Sequence, residues 1–109
     1  MKDVIVTTTN GIDGKKVEEY IDVVAGEAVM GANVVKDFFA GIRDIVGGRS
    51  GSYEKEIKKG RYEALKDLKS EGVDAGADAV VGVSVDYEEM GEGMLWMTAT
   101  GTAVKLTDE

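Results

Sequence analysis

The chain has 109 residues, with 13 Lys and Arg against 21 Asp and Glu, and it contains no cysteine, histidine or proline. Those zeros exclude a disulfide framework, a Cys/His zinc site, a thiol nucleophile and a histidine-dependent triad. The length fits one domain over residues 1–109.

Residues 3–9 (Asp-Val-Ile-Val-Thr-Thr-Thr) are β-branched almost throughout and predict a strand. Asn10-Gly11 and Asp13-Gly14 are turn signals. A second strand is predicted over 20–30, where Gly26 marks a bulge or bend. Asn33 is a good N-cap, and Val34, Val35, Phe38, Phe39, Ile42, Ile45 and Val46 follow it at helical spacing. Gly47-Gly48 ends that helix.

Ser50 or Ser52 caps a second helix, with Glu54 and Glu56 complementing the dipole of its first turn. Its expected apolar stripe is Tyr53, Ile57, Arg61, Ala64, Leu65 and Leu68. Gly60 and Gly72 each weaken a helix by about 1 kcal/mol relative to alanine, so the pattern alone stops this one near Gly72, with Gly76 as a second candidate. Residues 79–87 and 94–105 alternate as strands, joined by a Gly91-Glu92-Gly93 turn. On the last strand the face Leu95, Met97, Ala99, Gly101 and Ala103 becomes small toward its C-terminal end, which admits a helix or another subunit. The order β-β-α-α-β-β predicts an α+β fold, a largely antiparallel sheet with two consecutive helices packed on one face.

The formal net charge of −8 is local. Residues 1–69 hold 12 basic and 12 acidic side chains, whereas residues 70–109 set Lys105 against Glu71, Asp74, Asp78, Asp86, Glu88, Glu89, Glu92, Asp108 and Glu109. Phosphate-backbone binding needs a positive footprint, so no nucleic-acid partner is expected. The run Lys55, Lys58, Lys59, Arg61, Lys66, Lys69 is interleaved with Glu54, Glu56, Glu63 and Asp67 and reads as a solvated helix face. The N-terminus lacks a signal-peptide apolar region, and no apolar run approaches the roughly 20 residues of a membrane helix. With the missing cysteines, this leads us to expect a cytoplasmic protein without a membrane partner. Val and Ala dominate the apolar set and only four residues are leucine. Such a thin core is often supplemented by oligomerisation.

The candidate sites each have a plainer reading. Gly47, Gly48, Arg49, Ser50, Gly51 and Ser52 lie between the two predicted helices. Converging N–H groups, a helix N-terminus and the Arg49 fork suit a small anion. The plainer reading is a helix–helix turn in which Arg49 pairs with a carboxylate. The acidic hairpin Asp86, Glu88, Glu89, Glu92 offers oxygen ligands for a hard cation, but its spacing fits no dense loop and a solvated hairpin end is the simpler reading. Met30, Met90, Met94 and Met97 offer thioethers to a soft metal, although methionines beside strands are commonly filler. Thr98, Thr100 and Thr102 share a face with Trp96, which suits cross-strand pairing and an interface anchor. Glu27 lies in an apolar strand, where burial would raise its pKa, but one carboxylate is not a mechanism. No catalytic constellation and no cofactor are expected.

The ordered segments Thr7-Thr8-Thr9-Asn10, Gly26-Glu27-Ala28-Val29-Met30-Gly31-Ala32-Asn33, Gly47-Gly48-Arg49-Ser50 with Tyr53-Glu54, 76–83 (Gly-Ala-Asp-Ala-Val-Val-Gly-Val) and Gly101-Thr102-Ala103-Val104 resemble the YbjQ-like family. The likeness extends from Ile5 to Leu106. It implies a dodecin-subunit-like fold and ring-shaped homopentamers, in a family of unknown function labelled "putative heavy-metal-binding". It also implies that the second helix runs on to Gly76, and it puts Arg49, Tyr53, Glu54 and Arg61 at motif positions. Asp78 stands where the family often has Asn, and no Cys or His is present to meet the metal label. The resulting expectation is a non-catalytic, ring-forming homo-oligomer, with Gly47, Gly48, Arg49, Ser50, Ser52, Tyr53 and Arg61 as ligand candidates. Metal binding through carboxylates and methionines is the alternative, and an enzyme acting on an anionic substrate is a third class.

Overall fold

The computed structural model describes residues 3–30, 51–91 and 94–109, with the backbone alone described at 51–56 and 91. In sequence order the elements are β1 (Ile5–Val6), β2 (Lys15–Met30), α1 (Gly51–Asp74), β3 (Ala79–Gly91) and β4 (Met94–Asp108). The strands form one sheet in the order β1-β3-β4-β2. β4 is antiparallel to both β2 and β3, while β1 runs parallel to β3 through Ile5↔Ala79 and Val6↔Val80. The fold is therefore α+β, with a mixed sheet whose two long pairings are antiparallel and whose short β1–β3 pairing is parallel.

The described order, β-β-α-β-β, has one helix where the sequence predicts two. α1 is the second of them; the first, over 33–46, lies outside the described residues. No described helix is long and apolar enough to cross a membrane.

Several boundaries differ from the sequence pattern for local reasons. β1 stops at Val6 because the threonines after it turn away and bond to a break in β3. There the Val83 N–H donates to the Thr7 carbonyl at 3.1 Å and the Gly82 N–H donates to the Thr9 carbonyl at 2.8 Å. Gly82 sits at φ +61 inside the register shift between Val81 and Ser84. The extra residue lets both Val80 and Val83 face the helix side of the sheet. β2 begins at Lys15 rather than Tyr20. Its polar first residues lack alternation, yet they pair with β4 from Lys15↔Asp108 onward, across two register shifts.

Helix α1 buries Gly60, Ala64, Leu68 and Gly72, spaced by four, with Ile57 and Leu65 half-buried. This face corrects the expected stripe, because Arg61 is exposed. Glycine is the contact here. A Cβ at Gly60 would lie 2.3 Å from the Met97 Sδ, and one at Gly72 would lie 2.7 Å from the Val80 Cγ2. Gly72 therefore does not stop the helix. The stop comes at Gly76 (φ +79), where the Gly76 N–H donates to the Val73 carbonyl and the Ala77 N–H donates to the Gly72 carbonyl, both at 3.0 Å. This pair of hydrogen bonds across a left-handed residue is a Schellman cap. Nothing lies within 4 Å of a Cβ at Gly76, so Gly76→Ala is expected to cost only the left-handed backbone penalty, about 1–2 kcal/mol, measurable by urea unfolding.

The main core lies between α1 and the sheet and holds Val24, Ala64, Leu68, Val80, Val83, Met97, Ala99 and Ala103. A smaller cluster on the other face joins Ala79, Val81 and Val104, with Ile12, Val17 and Leu106 packed on it.

Candidate functional site

A groove of about 550 Å³ runs between α1 and the outer edge of β2, lined by Glu27, Val29, Glu63, Lys66, Asp67 and Ser70 among others. Its floor follows from the strand's period of two. Val24 and Gly26 turn inward beneath the helix, while Val23, Ala25, Glu27 and Val29 are exposed. Among the described strands β2 is the last of the sheet on this side, and alternate N–H groups point away from β4. The Glu27 N–H is one of these, and it donates to the Asp67 carboxylate of α1 at 3.0 Å. One outward donor is thus satisfied by the helix, and those of Ala25 and Val29 lie to either side of it. Three carboxylates and one ammonium line the groove, which suits an extended peptide backbone with polar side chains better than an anion.

The sequence pattern does not single out this site. Glu63 with Asp67, and Lys66 with Ser70, are i,i+4 pairs on one flank of α1, a signal that reads equally as a solvated helix face. Glu27 is exposed and is not a buried acid.

Of the expected anion site, Gly47, Gly48, Arg49 and Ser50 lie outside the described residues. Ser52 and Tyr53 are on the first turn of α1 with their side chains undescribed, and Arg61 is exposed. The acidic hairpin is divided. Asp86 and Glu88 pair with Thr98 and Trp96 across β4, on the helix-free face, and these four surround a hollow of about 210 Å³. Glu89 follows in the opposite direction, and Glu92 lies outside the described residues. Among the described residues no group of three or more acidic side chains is placed to hold a metal ion. The methionines divide as well: Met30 and Met97 pack beneath Gly60, whereas Met90 is exposed. Among the described residues these methionines are not gathered into one soft-metal centre.

Asp78 is structural. Its N–H donates to the Val104 carbonyl at 2.9 Å, and its carboxylate accepts the Leu106 N–H at 2.8 Å. Asp78→Ala is expected to lose about 1–3 kcal/mol by orphaning a part-buried donor. Asp78→Asn, which keeps an acceptor, should lose less in the same urea titration. The two termini are held by Lys69 to Asp3 at 2.8 Å and by Lys15 to Asp108. The hydrogen bond and then the charge of each lysine hold the partner's carboxyl below the usual range. Because these pKa values are depressed, the pairs contribute above the ordinary aspartate pKa and fade as pH falls through the lowered one. Carboxyl NMR titration should show Asp3 returning to the ordinary range in Lys69→Ala.

A family model described as "putative heavy-metal-binding" matches residues 4–107. A UPF0145 protein of Bacillus cereus is 54% identical over 102 residues, covering 94% of this chain and 99% of that one. Another from Geobacillus kaustophilus is 54% identical over 102 residues, covering 94% and 97%. The crystal structure of a DUF74-family protein from Pediococcus pentosaceus superposes with a TM-score of 0.62 at 17% identity, over 95% of this chain and 98% of that one, which shows a shared fold. The chain belongs to the YbjQ family of UPF0145 proteins.

Proposed function

We propose that this protein is a cytoplasmic, non-catalytic, ring-forming homo-oligomer, a pentamer of dodecin-subunit-like protomers, that binds a small ligand or partner in the groove along β2. The observation that carries this reading is the outer edge of β2. It is 16 residues long, and no described strand covers it. Tyr20 and Val23 on it are each 73% exposed. Long, open, apolar edges are templates for strand addition and are rarely left bare.

Association through the β2 edge would place the groove at each subunit junction. Five copies would carry about −40 of charge, gathered toward the C-terminal hairpins, which favours solubility.

Light scattering tests the assembly. The wild type is expected to be a stable oligomer at micromolar concentration, and Val23→Lys with Val29→Lys, which charges the edge, is expected to be smaller. A monomeric wild type would overturn the proposal. A thermal-shift screen of metabolites and metals on the intact oligomer addresses the ligand. Calorimetric titration with calcium, zinc and cuprous ion is expected to give no saturable heat. Saturable heat would favour the family's metal label instead.

A further inference from the structure

The loop from β1 to β2 carries an Asn10-Gly11 pair that no part of the proposed function uses. We propose that Asn10 is a site of spontaneous deamidation through a cyclic imide, and that the isoaspartyl product undocks this loop from the bulge in β3.

Both residues are exposed, and beyond its two chain neighbours nothing lies within 4 Å of where a Gly11 Cβ would sit. Glycine leaves the following backbone free to turn its nitrogen onto the asparagine amide, and asparagine is among the thermally labile residues. The Gly11 nitrogen attacks the Asn10 Cγ. A new C–N bond closes the five-membered imide, the bond from Cγ to the amide Nδ2 breaks, and ammonia leaves with the proton that the Gly11 nitrogen gives up. Water then opens the ring at either carbonyl, giving aspartate or an isoaspartyl linkage. Water is the only co-reactant.

The consequence follows from how the loop is fastened. On one side of Asn10, the Thr9 carbonyl accepts the Gly82 N–H at 2.8 Å and the Thr7 carbonyl accepts the Val83 N–H at 3.1 Å. The Thr9 hydroxyl donates to the Gly11 carbonyl at 2.6 Å, spanning the pair itself. On the other side, Ile12 packs on Ala79, Val81 and Val104. An isoaspartyl linkage adds one carbon to the backbone between these two anchors and turns a neutral amide into a carboxylate. The lengthened loop cannot keep both anchors in place. Asp13-Gly14, three residues on, is an internal comparator. Its turn is closed by the Lys15 N–H donating to the Ile12 carbonyl at 3.1 Å, and a carboxylate is a poorer electrophile than an amide.

The test ages the full-length protein at body temperature and mildly alkaline pH. Peptide mapping with enzymatic isoaspartate methylation then reads the product. Residue 10 is expected to convert and become methylatable, while Asn10→Gln stays unlabelled. In the converted fraction the Gly82 and Val83 amides are expected to exchange at least about tenfold faster, whereas Asn10→Asp, with its normal linkage, exchanges like the wild type. Asn10 surviving intact for the time that fully converts a free peptide of residues 7–14 would overturn the site. Unchanged protection of Gly82 and Val83 after conversion, or equal loss of protection in Asn10→Asp, would overturn the isoaspartyl undocking.

Discussion

Gly26→Ala is expected to lower the unfolding free energy by at least about 3 kcal/mol, at the upper end for an overpacked core. A Cβ at this position would stand 2.2 Å from the Ala64 carbonyl oxygen, 2.2 Å from the Leu68 nitrogen and 2.7 Å from the Leu68 Cα. All three are backbone atoms of α1, so no rotamer change relieves the contact. The helix must lift from the sheet or β2 must bend away from it. Gly60→Ala makes a contact just as close, but with the end of the Met97 side chain. Methionine can re-route, and alanine adds about 1 kcal/mol of helix propensity. Gly60→Ala should therefore be far milder. Gly11→Ala, in open space, should stay within about 0.5 kcal/mol of the wild type. Urea unfolding of the three variants at one fixed protein concentration ranks them, since association adds to apparent stability.

Leu68→Ala is expected to cost about 2–5 kcal/mol. Leu68 is fully buried and is among the largest side chains of a core otherwise built mostly from valine and alanine. Few neighbours are large enough to collapse into the space it leaves. The two substitutions also test each other. If Gly26→Ala acts through the Leu68 backbone, truncating the Leu68 side chain will not rescue it, and the double variant will be at least as unstable as the worse single one. Rescue would show that side-chain crowding sets the glycine requirement.

The same glycines show how far the sequence could be read. Hydrophobic periodicity located α1, the second half of β2, and the β3–β4 hairpin, because each has a regular apolar pattern. It places Ile57, Ala64, Leu65 and Leu68 on the buried face of α1 but includes the exposed Arg61 and omits Gly60 and Gly72. Periodicity scores glycine as a gap and Arg61 as a neighbour of Ile57, whereas the sheet contacts the bare backbone at Gly60 and Gly72. The resemblance to a family, which implied a helix running through Gly72, was nearer the mark than the pattern. The parallel pairing of β1 was not legible, since it depends on Thr7 and Thr9 meeting a bulge more than seventy residues away. The candidate groove was not legible for a related reason. Its defining feature is a strand edge that no described strand pairs, and no residue type marks which strand of a sheet comes last.

In the proposed assembly the outer edge of β2 is covered by another copy of the protein. Amide hydrogen exchange at Ala25 and Val29 tests this most directly. Their N–H groups lie in register with that of Glu27, pointing away from β4, and nothing described within one protomer shelters them. At a concentration where the oligomer is intact, both amides should exchange slowly, with protection lost in the edge-charged Val23→Lys, Val29→Lys variant. Fast exchange of both in the native assembly would contradict a covered edge.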